Sequence, residues 1–247
     1  MEQLLELKNL SAGYDKNIVL SDVNMKVFDR DFIGVIGPNG GGKTTLVKVI
    51  LGLLKPLKGE ITYCVNTRNF IGYLPQINKI DSKFPITVYD VILSGLMSQN
   101  QLITSFNKLD KQKADELLEQ TGIAHLKKKP IGELSGGQMQ RAFLCRALIS
   151  SPRLLILDEP SSFVDNKFEH ELYGLLHDLN KQMAIIIISH DVGTIASYVK
   201  TIACVNRELH YHQSNIITEE QLADYNCPIQ IITHGHVPHT VLEHHHH

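Results

Sequence analysis

An α/β fold with a mostly parallel sheet is predicted by three observations. Continuous apolar runs, Leu154-Leu155-Ile156-Leu157 and Ala184-Ile185-Ile186-Ile187-Ile188, have the length of strands covered on both faces. A helical pattern over 166–182 lies between them. A third run, Phe32-Ile33-Gly34-Val35-Ile36, passes through Gly37-Pro38-Asn39-Gly40-Gly41-Gly42-Lys43-Thr44-Thr45 into Leu46-Val47-Lys48-Val49-Ile50-Leu51, which reads as strand, glycine loop, helix. Alternation of this kind places a ligand at the carboxyl ends of the strands.

That context gives the glycine loop a mechanism. Without Cβ atoms, the backbone can approach a polyphosphate and turn successive N–H groups inward as an anion nest. The following helix adds its positive end. Lys43 then neutralises β- and γ-phosphates, and Thr44 offers its hydroxyl to Mg²⁺. An ordinary glycine-rich turn before a core helix is the plainer reading, and four glycines with Lys-Thr at fixed spacing count against it. The loop alone names neither the nucleotide nor its purpose.

Bulk properties narrow the class. A chain of 247 residues can bury a full core as one domain, or one domain with a lobe. The formal net charge is −2, and no basic block is longer than Lys127-Lys128-Lys129, so nothing favours a nucleic-acid partner. The longest apolar runs are far short of a membrane span, and Met1-Glu2-Gln3 opens without the basic start of an export signal. Cys64, Cys145, Cys204 and Cys227 show no C-x-x-C spacing and fit small buried residues in a reducing compartment. Leu242-Glu243 and His244 to His247 read as a cloning scar and affinity tag, leaving 1–241 as one domain.

In chain order, strands are expected over Leu4–Leu10 and Ile18–Val27, with Ser11-Ala12-Gly13-Tyr14 as the turn between them. Tyr14 offers either a flat face for a purine or a cap on a small sheet. The helix after the loop is apolar nearly all round to Leu54, and Pro56 and Gly59 end it. Strands follow over Glu60–Val65 and Phe70–Leu74, leading to Pro75-Gln76. The pattern then turns helical until Pro152: one helix over Val88–Leu96, another over Asn107–Gln120 between an Asn107 cap and Gly122, and a third from Ser135 to Ser150. A minimal phosphate-loop protein does not need this insertion. Asn166 and Glu169 have capping-box spacing, strands are expected over Thr201–Val205 and Glu208–His212, and a capped helix from Thr218 completes the fold.

Asp158 and Glu159 end an apolar strand, where pleating sends their side chains apart. One carboxylate can hold Mg²⁺ through water while the other faces a nucleophilic water, a division suited to phosphoryl transfer. His190 ends the neighbouring strand and can bond the γ-phosphate and that water. A lone histidine after a strand is more often an ordinary turn residue. Leu134-Ser135-Gly136-Gly137-Gln138 reads by itself as a capping box, Ser135 with Gln138, around a flexible helix entry.

With that last motif the sequence resembles the ATP-binding cassette (ABC) ATPases. Leu134 to Gln138 is similar to the family signature, Gly37 to Thr45 to its Walker A loop, and Gln76 to its Q-loop. Leu154 to Glu159 resembles the Walker B strand, Ser162-Phe163-Val164-Asp165 the D-loop, and His190 the switch histidine, all in the family's order. Tyr14 stands where the family has its adenine-stacking aromatic. The resemblance spans Leu4 to Ala223 and implies a phosphate-loop NTPase (RecA-like) core, an N-terminal antiparallel β subdomain and a helical subdomain inserted over roughly 77–152. It further implies that two copies pair head to tail, with ATP and Mg²⁺ held between the Walker A loop of one and Ser135, Gly136, Gly137 and Gln138 of the other. Glu159 then polarises the attacking water, and His190 holds that water and the γ-phosphate. Gln76 reports occupancy to the insertion and, with Thr44 and Asp158, belongs to the Mg²⁺ ligand set. The D-loop departs from the commoner S-A-L-D pattern by Phe163-Val164 before Asp165, which leaves only fine contacts across the pair in doubt.

One cassette with no spanning segment resembles the separate ATPase subunit of a transporter whose integral-membrane permease subunits are other chains. Gly72-Tyr73-Leu74-Pro75-Gln76 and Phe84-Pro85-Ile86-Thr87-Val88-Tyr89-Asp90-Val91 are similar to cassettes of bacterial zinc and manganese importers, and the tail from Cys227 to His239 to zinc-type members. That likeness implies a peripheral protein on the cytoplasmic face of the inner membrane, working with a permease and a metal-binding lipoprotein or periplasmic protein. Iron-chelate importers are the nearest alternative. A soluble cassette acting on DNA or the ribosome lacks its usual coiled coil, second cassette or basic surface here, and a regulatory nucleotide switch fits poorly with Glu159 and His190. His234, His236 and His239 can chelate zinc, but a polar tail without an ordered scaffold is the favoured reading.

Overall fold

The computed structural model describes residues 1–15, 17–66, 69–76, 85–97, 106–160, 166–190, 192–212, 229–234 and 237–242, with side chains described as far as Tyr211. The D-loop with Asp165 and the helix expected from Thr218 lie outside them. So do His236 and the side chains of Asn166, His234 and His239. The chain divides into two compact units, Met1–Asn66 with Leu176–His247, and Thr67–Leu175.

The first unit opens with an antiparallel sheet of order β2-β1-β4, built from β1 (Gln3–Tyr14), β2 (Asn17–Phe28) and β4 (Lys58–Tyr63). Leu4, Leu5, Leu7, Leu10, Val23, Met25 and Val27 are buried. Ser11 to Tyr14 is not the expected turn: β1 continues through it, pairing Tyr14 with Asn17, and the reversal begins at Asp15. The strict alternation fails there because register shifts interrupt the ladder between Leu7 and Gly13, so consecutive residues Leu10 to Gly13 are all buried.

Its second sheet has β7 (Ala184–Ile188), β3 (Phe32–Ile36), β8 (Thr201–Asn206) and β9 (Glu208–His212) side by side, parallel except for β9. Every residue of β3 and β7 is buried, as continuous apolar runs in a parallel sheet require. Helix α1 (Lys43–Ile50) starts at the glycine loop and stops earlier than the apolar pattern suggests. Gly52 adopts φ 70°, its N–H bonds Val49 O, and the Leu53 N–H bonds Lys48 O at 2.8 Å. This is a Schellman ending, and it throws Leu53 out to 63 % exposure. The apolar residues past Ile50 therefore belong to a surface turn.

The second unit pairs β5 (Ile71–Leu74) parallel with β6 (Leu154–Asp158) and carries α2 (Val88–Leu93), α3 (Lys108–Gln120) and α4 (Gly136–Leu148), which pack on one another. Capping boxes start all three: Thr87 with Asp90, Asn107 with Asp110, and Ser135 with Gln138. The helix expected over Val88–Leu96 is α-helical only to Leu93 and tightens to a 3-10 turn over Ser94–Leu96. Gly95 sits there against α4, where a Cβ would come 2.1 Å from Arg146 O. The chain continues through α5 (Asn166–Asn180) to β7, and α6 (Val192–Ala196) links β7 to β8.

The tail differs from the unscaffolded segment expected of it. Strands β10 (Ile229–His234) and β11 (Val237–Leu242) pair antiparallel, with Ile232 opposite His239. Alternating apolar residues, Ile229, Ile231 and then Val237, Val241, suit such a pair. Among the described residues, no helix is long and apolar enough to cross a membrane.

Candidate functional site

In the first unit the site begins where β3 ends. Gly37 takes φ 149°, and a Cβ on it would lie 2.0 Å from Val205 O of β8. Only glycine lets the loop lean on that neighbouring strand. Arg207 N–H bonds Gly41 O at 3.0 Å and ties the loop to the same region. Gly42 caps α1 at φ 111° without a side-chain bond, so the helix's first N–H groups are left to the loop rather than to a capping hydroxyl. Asn39 and Gly40 are exposed at the loop's crest, and Pro38 is half-buried.

Lys43 is only 6 % exposed, a costly place for a cation. Its ammonium donates to Gly37 O at 2.8 Å and Pro38 O at 3.0 Å, so the loop's own carbonyls hold it at the cradle. Thr44 is exposed and Thr45 buried on the first turn of α1. Tyr14, 42 % exposed, is fastened to the same helix: Lys48 Nζ donates to its hydroxyl at 3.1 Å and lies 5.2 Å from the ring centre. That hydrogen bond, with a smaller one from Thr45, holds the phenol below its ordinary pKa against the opposing effect of burial. His190 is exposed just past β7. Val35 pairs with Ile188 in register, so His190 and the glycine loop leave the same carboxyl edge of two adjacent parallel strands.

The second unit holds the acids. Asp158 closes β6 at 7 % exposure, and Glu159 follows with φ 48°. A left-handed glutamate costs on the order of 1–2 kcal/mol and persists where its surroundings demand it. Both acids meet donors from the end of β5. Gln76 Nε2 donates to Glu159 Oε2 at 2.7 Å, and the Tyr73 hydroxyl donates to Asp158 Oδ2 at 3.4 Å. Burial, followed by the Asp158 charge and that hydrogen bond, pushes the Tyr73 phenol up to about 12.

In the same unit Ser135 stands exposed at the start of α4. Its Oγ accepts from Gln138 N–H at 3.4 Å while Gln138 Oε1 accepts from Ser135 N–H at 3.1 Å. Gly136 is exposed and Gly137 half-buried in the first turn, where the helix presents its positive end. Arg141, one turn on, donates to Thr121 O at 2.7 Å and pairs with Glu171 of α5, anchoring α4.

Sequence reasoning missed Tyr73 and Lys48. Lys48 follows Thr44 by four residues, so its place on α1 was readable, but its partner depended on how β1 ran past Ser11. Tyr73 needed the register of two parallel strands whose paired residues are 83 positions apart, which no local pattern carries. Among the described residues, no three His, Cys, Asp or Glu side chains gather as a metal-binding group.

A glycine cradle backed by a parallel strand, closed by a buried lysine and opening a helix, defines a phosphate-loop nucleotide-binding protein. The chain belongs to the ABC transporter family, whose model matches residues 20–162. It is 39 % identical over 85 % of its length to a probable metal transport system ATP-binding protein of Thermotoga maritima, covering 84 % of that protein. It is 37 % identical to the zinc uptake system ATP-binding protein ZurA of Listeria monocytogenes, over 93 % of each chain. Among solved structures, a chain of an ABC transporter in an inward-facing conformation superposes with a TM-score of 0.84 at 27 % identity, covering 99 % of this chain and 98 % of that one. The protein is thus an ATP-binding ABC ATPase with the mixed α/β architecture of the family's cassettes.

Proposed function

We propose that this chain is the ATP-hydrolysing subunit of a bacterial importer that takes up zinc. The observation that carries the reading is the 37 % identity to a zinc uptake subunit over 93 % of both chains. Residues 1–241 act as one cassette, with a helical subdomain over roughly 77–152. It works at the cytoplasmic face of the membrane against integral-membrane permease subunits, which receive zinc from a metal-binding protein outside. Two copies close over ATP, so that the glycine loop of each faces the α4 N-terminus of the other.

Within that reading, Tyr14 stacks the adenine, and Gly37 to Gly42 turn backbone N–H groups on the phosphates. Lys43 trades its two carbonyl partners for phosphate oxygens. Thr44, Gln76 and Asp158 supply hydroxyl, amide and carboxylate oxygens, a hard donor set that fits Mg²⁺. When bound, that ion neutralises charge on the β- and γ-phosphates. Glu159 accepts a proton from the attacking water, and His190 holds the water against the γ-phosphate. Ser135 uses its Oγ lone pair within the capping box, which leaves its hydroxyl proton for a phosphate oxygen of the other copy's nucleotide.

The test is uptake of radiolabelled zinc, manganese and ferric chelate by cells lacking the gene, complemented with the parent or with Glu159→Gln. Zinc uptake restored only by the parent supports the reading. Restoration of manganese or iron-chelate uptake alone transfers the assignment to that metal, and no restoration of any of the three overturns the importer.

A further inference from the structure

We propose that Gln140 is a positioning residue for the Q-loop: when nucleotide engages Gln76, the buried Gln140 amide donates to the Pro75 carbonyl and fixes the exit of β5. The proposal deepens the reading above and rests on the placement of Gln76 at the nucleotide.

Its starting point is a side chain without a partner. Gln140, in the second turn of α4, is 5 % exposed, and no hydrogen bond reaches its amide among the described residues. Thr121 and Asn180 are buried to a similar degree and do have partners. The Thr121 hydroxyl donates to Leu117 O at 2.8 Å, and the Asn180 amide donates to Asp31 O at 2.9 Å. A buried amide that bonds nothing bears the desolvation cost of two N–H groups and a carbonyl with no return. Glutamine at this position therefore calls for a second state in which the amide is used.

Helix geometry shows what lies beside it. α4 leads into β6, and Arg153 N–H bonds Phe70 O at 2.8 Å, so the helix ends at the starts of β5 and β6 and runs against both strands. Ala147 lies over the middle of β5, where a Cβ on Gly72 would come 2.4 Å from Ala147 O. Gln140 precedes Ala147 by two turns on the same face, or about 10.5 Å along the axis. The same advance along β5 covers about three residues and brings Gln140 level with Pro75. β5 ends at Leu74, and the Pro75 carbonyl meets no donor among the described residues. An amide with two protons to donate thus stands level with a backbone acceptor that lacks a donor. Gln76, the next residue, is bonded to Glu159 at 2.7 Å. Drawn onto a nucleotide, it carries the Pro75 carbonyl with it. A contact made in only one of two states favours that state by its own free energy, so this bond adds to nucleotide affinity.

The experiment compares the full-length parent, Gln140→Met, Gln76→Ala and the double variant, with a non-hydrolysable ATP analogue supplied with Mg²⁺ as the probe. Methionine resembles glutamine in length and volume and has no amide, so nucleotide-free Gln140→Met should unfold in urea at or above the parent's midpoint. Its analogue affinity should fall by about two- to tenfold, the share of one hydrogen bond. In the Gln76→Ala background the Met substitution should cost nothing further. A midpoint below the parent's would show that the amide is already bonded in the resting fold. That result, parental analogue affinity in Gln140→Met, or an additive loss in the double variant each overturns the proposal. Parental analogue affinity in Gln76→Ala overturns instead the placement of Gln76 at the nucleotide, and the proposal with it.

Discussion

Gln76 reaches back from the end of β5 to donate its amide to the Glu159 carboxylate across 2.7 Å, so the acid assigned to water activation is held in place by the Q-loop residue itself. The contact shows how to test Glu159 cleanly. A glutamine at 159 still offers an oxygen to Gln76, so the local geometry survives and only the charge is lost. Turnover of Glu159→Gln is expected to fall about 10²–10³-fold, or about 3–4 kcal/mol. Phosphate release measures the loss, and equilibrium ATP binding should match the parent. A pair of copies that accumulates with ATP in sedimentation supports the shared site, and equal turnover in parent and variant contradicts the role.

The backbone of Glu159 offers a second, opposite readout. Its φ of 48° is unfavourable for glutamate but well tolerated by asparagine, whose short side chain bonds locally. Glu159→Asn should therefore stabilise the fold by about 1 kcal/mol while abolishing turnover. Denaturant unfolding midpoints of the parent and both Glu159 variants measure this. A midpoint for Glu159→Asn below that of Glu159→Gln would show that the turn is not strained.

Tyr14 and Lys48 make a prediction about the base rather than the phosphates. Stacking of a base on an aromatic ring is worth about 1–3 kcal/mol, so Tyr14→Ala should weaken ATP binding by about 5- to 150-fold. Lys48→Met removes the ammonium that lies 3.1 Å from the Tyr14 hydroxyl and 5.2 Å from its ring centre, and a loss of about two- to fivefold is expected from an exposed cation–ring pair. Inorganic tripolyphosphate has no base, and its affinity should not change in either variant. Parallel losses for ATP and tripolyphosphate would remove Tyr14 from the base site.

What the sequence made legible follows the range of each interaction. The cores of β3, β6 and β7 were readable because a parallel strand covered on both faces is a continuous apolar run. The Ser135–Gln138 box was readable because its two partners are three residues apart. The path of β1 through Tyr14 was not, because bulges broke its alternation, and Leu53 and Leu54 prolonged an apolar pattern that Gly52 had already ended. The donors to the two acids depend on pairing between β5 and β6, a long-range choice with no local signature.

Alkaline pH provides the last prediction, through groups whose neutral forms the fold protects. Burial raises the Cys145 thiol from its ordinary value of 9.0 to about 11, against the lowering effect of its hydrogen bond with Thr121, and the Tyr73 phenol rises from 10.0 to about 12. In both cases the unfolded chain gives up its proton first, so above pH 9 the native state binds more protons than the unfolded state. Unfolding free energy must then fall as pH rises, starting near pH 9 and levelling for the thiol near 11, and continuing to about 12 for the phenol. The thiol's share is on the order of 2–3 kcal/mol. Urea unfolding at intervals from pH 8 to 11 measures the decline. Cys145→Ala should begin less stable, because it leaves a small cavity, but decline less steeply between pH 9 and 11. Equal slopes in parent and variant would mean that the thiol ionises as readily in the folded chain as in the unfolded one, which a cysteine with no exposed surface, packed against Thr121 and the Leu117 carbonyl, should not do.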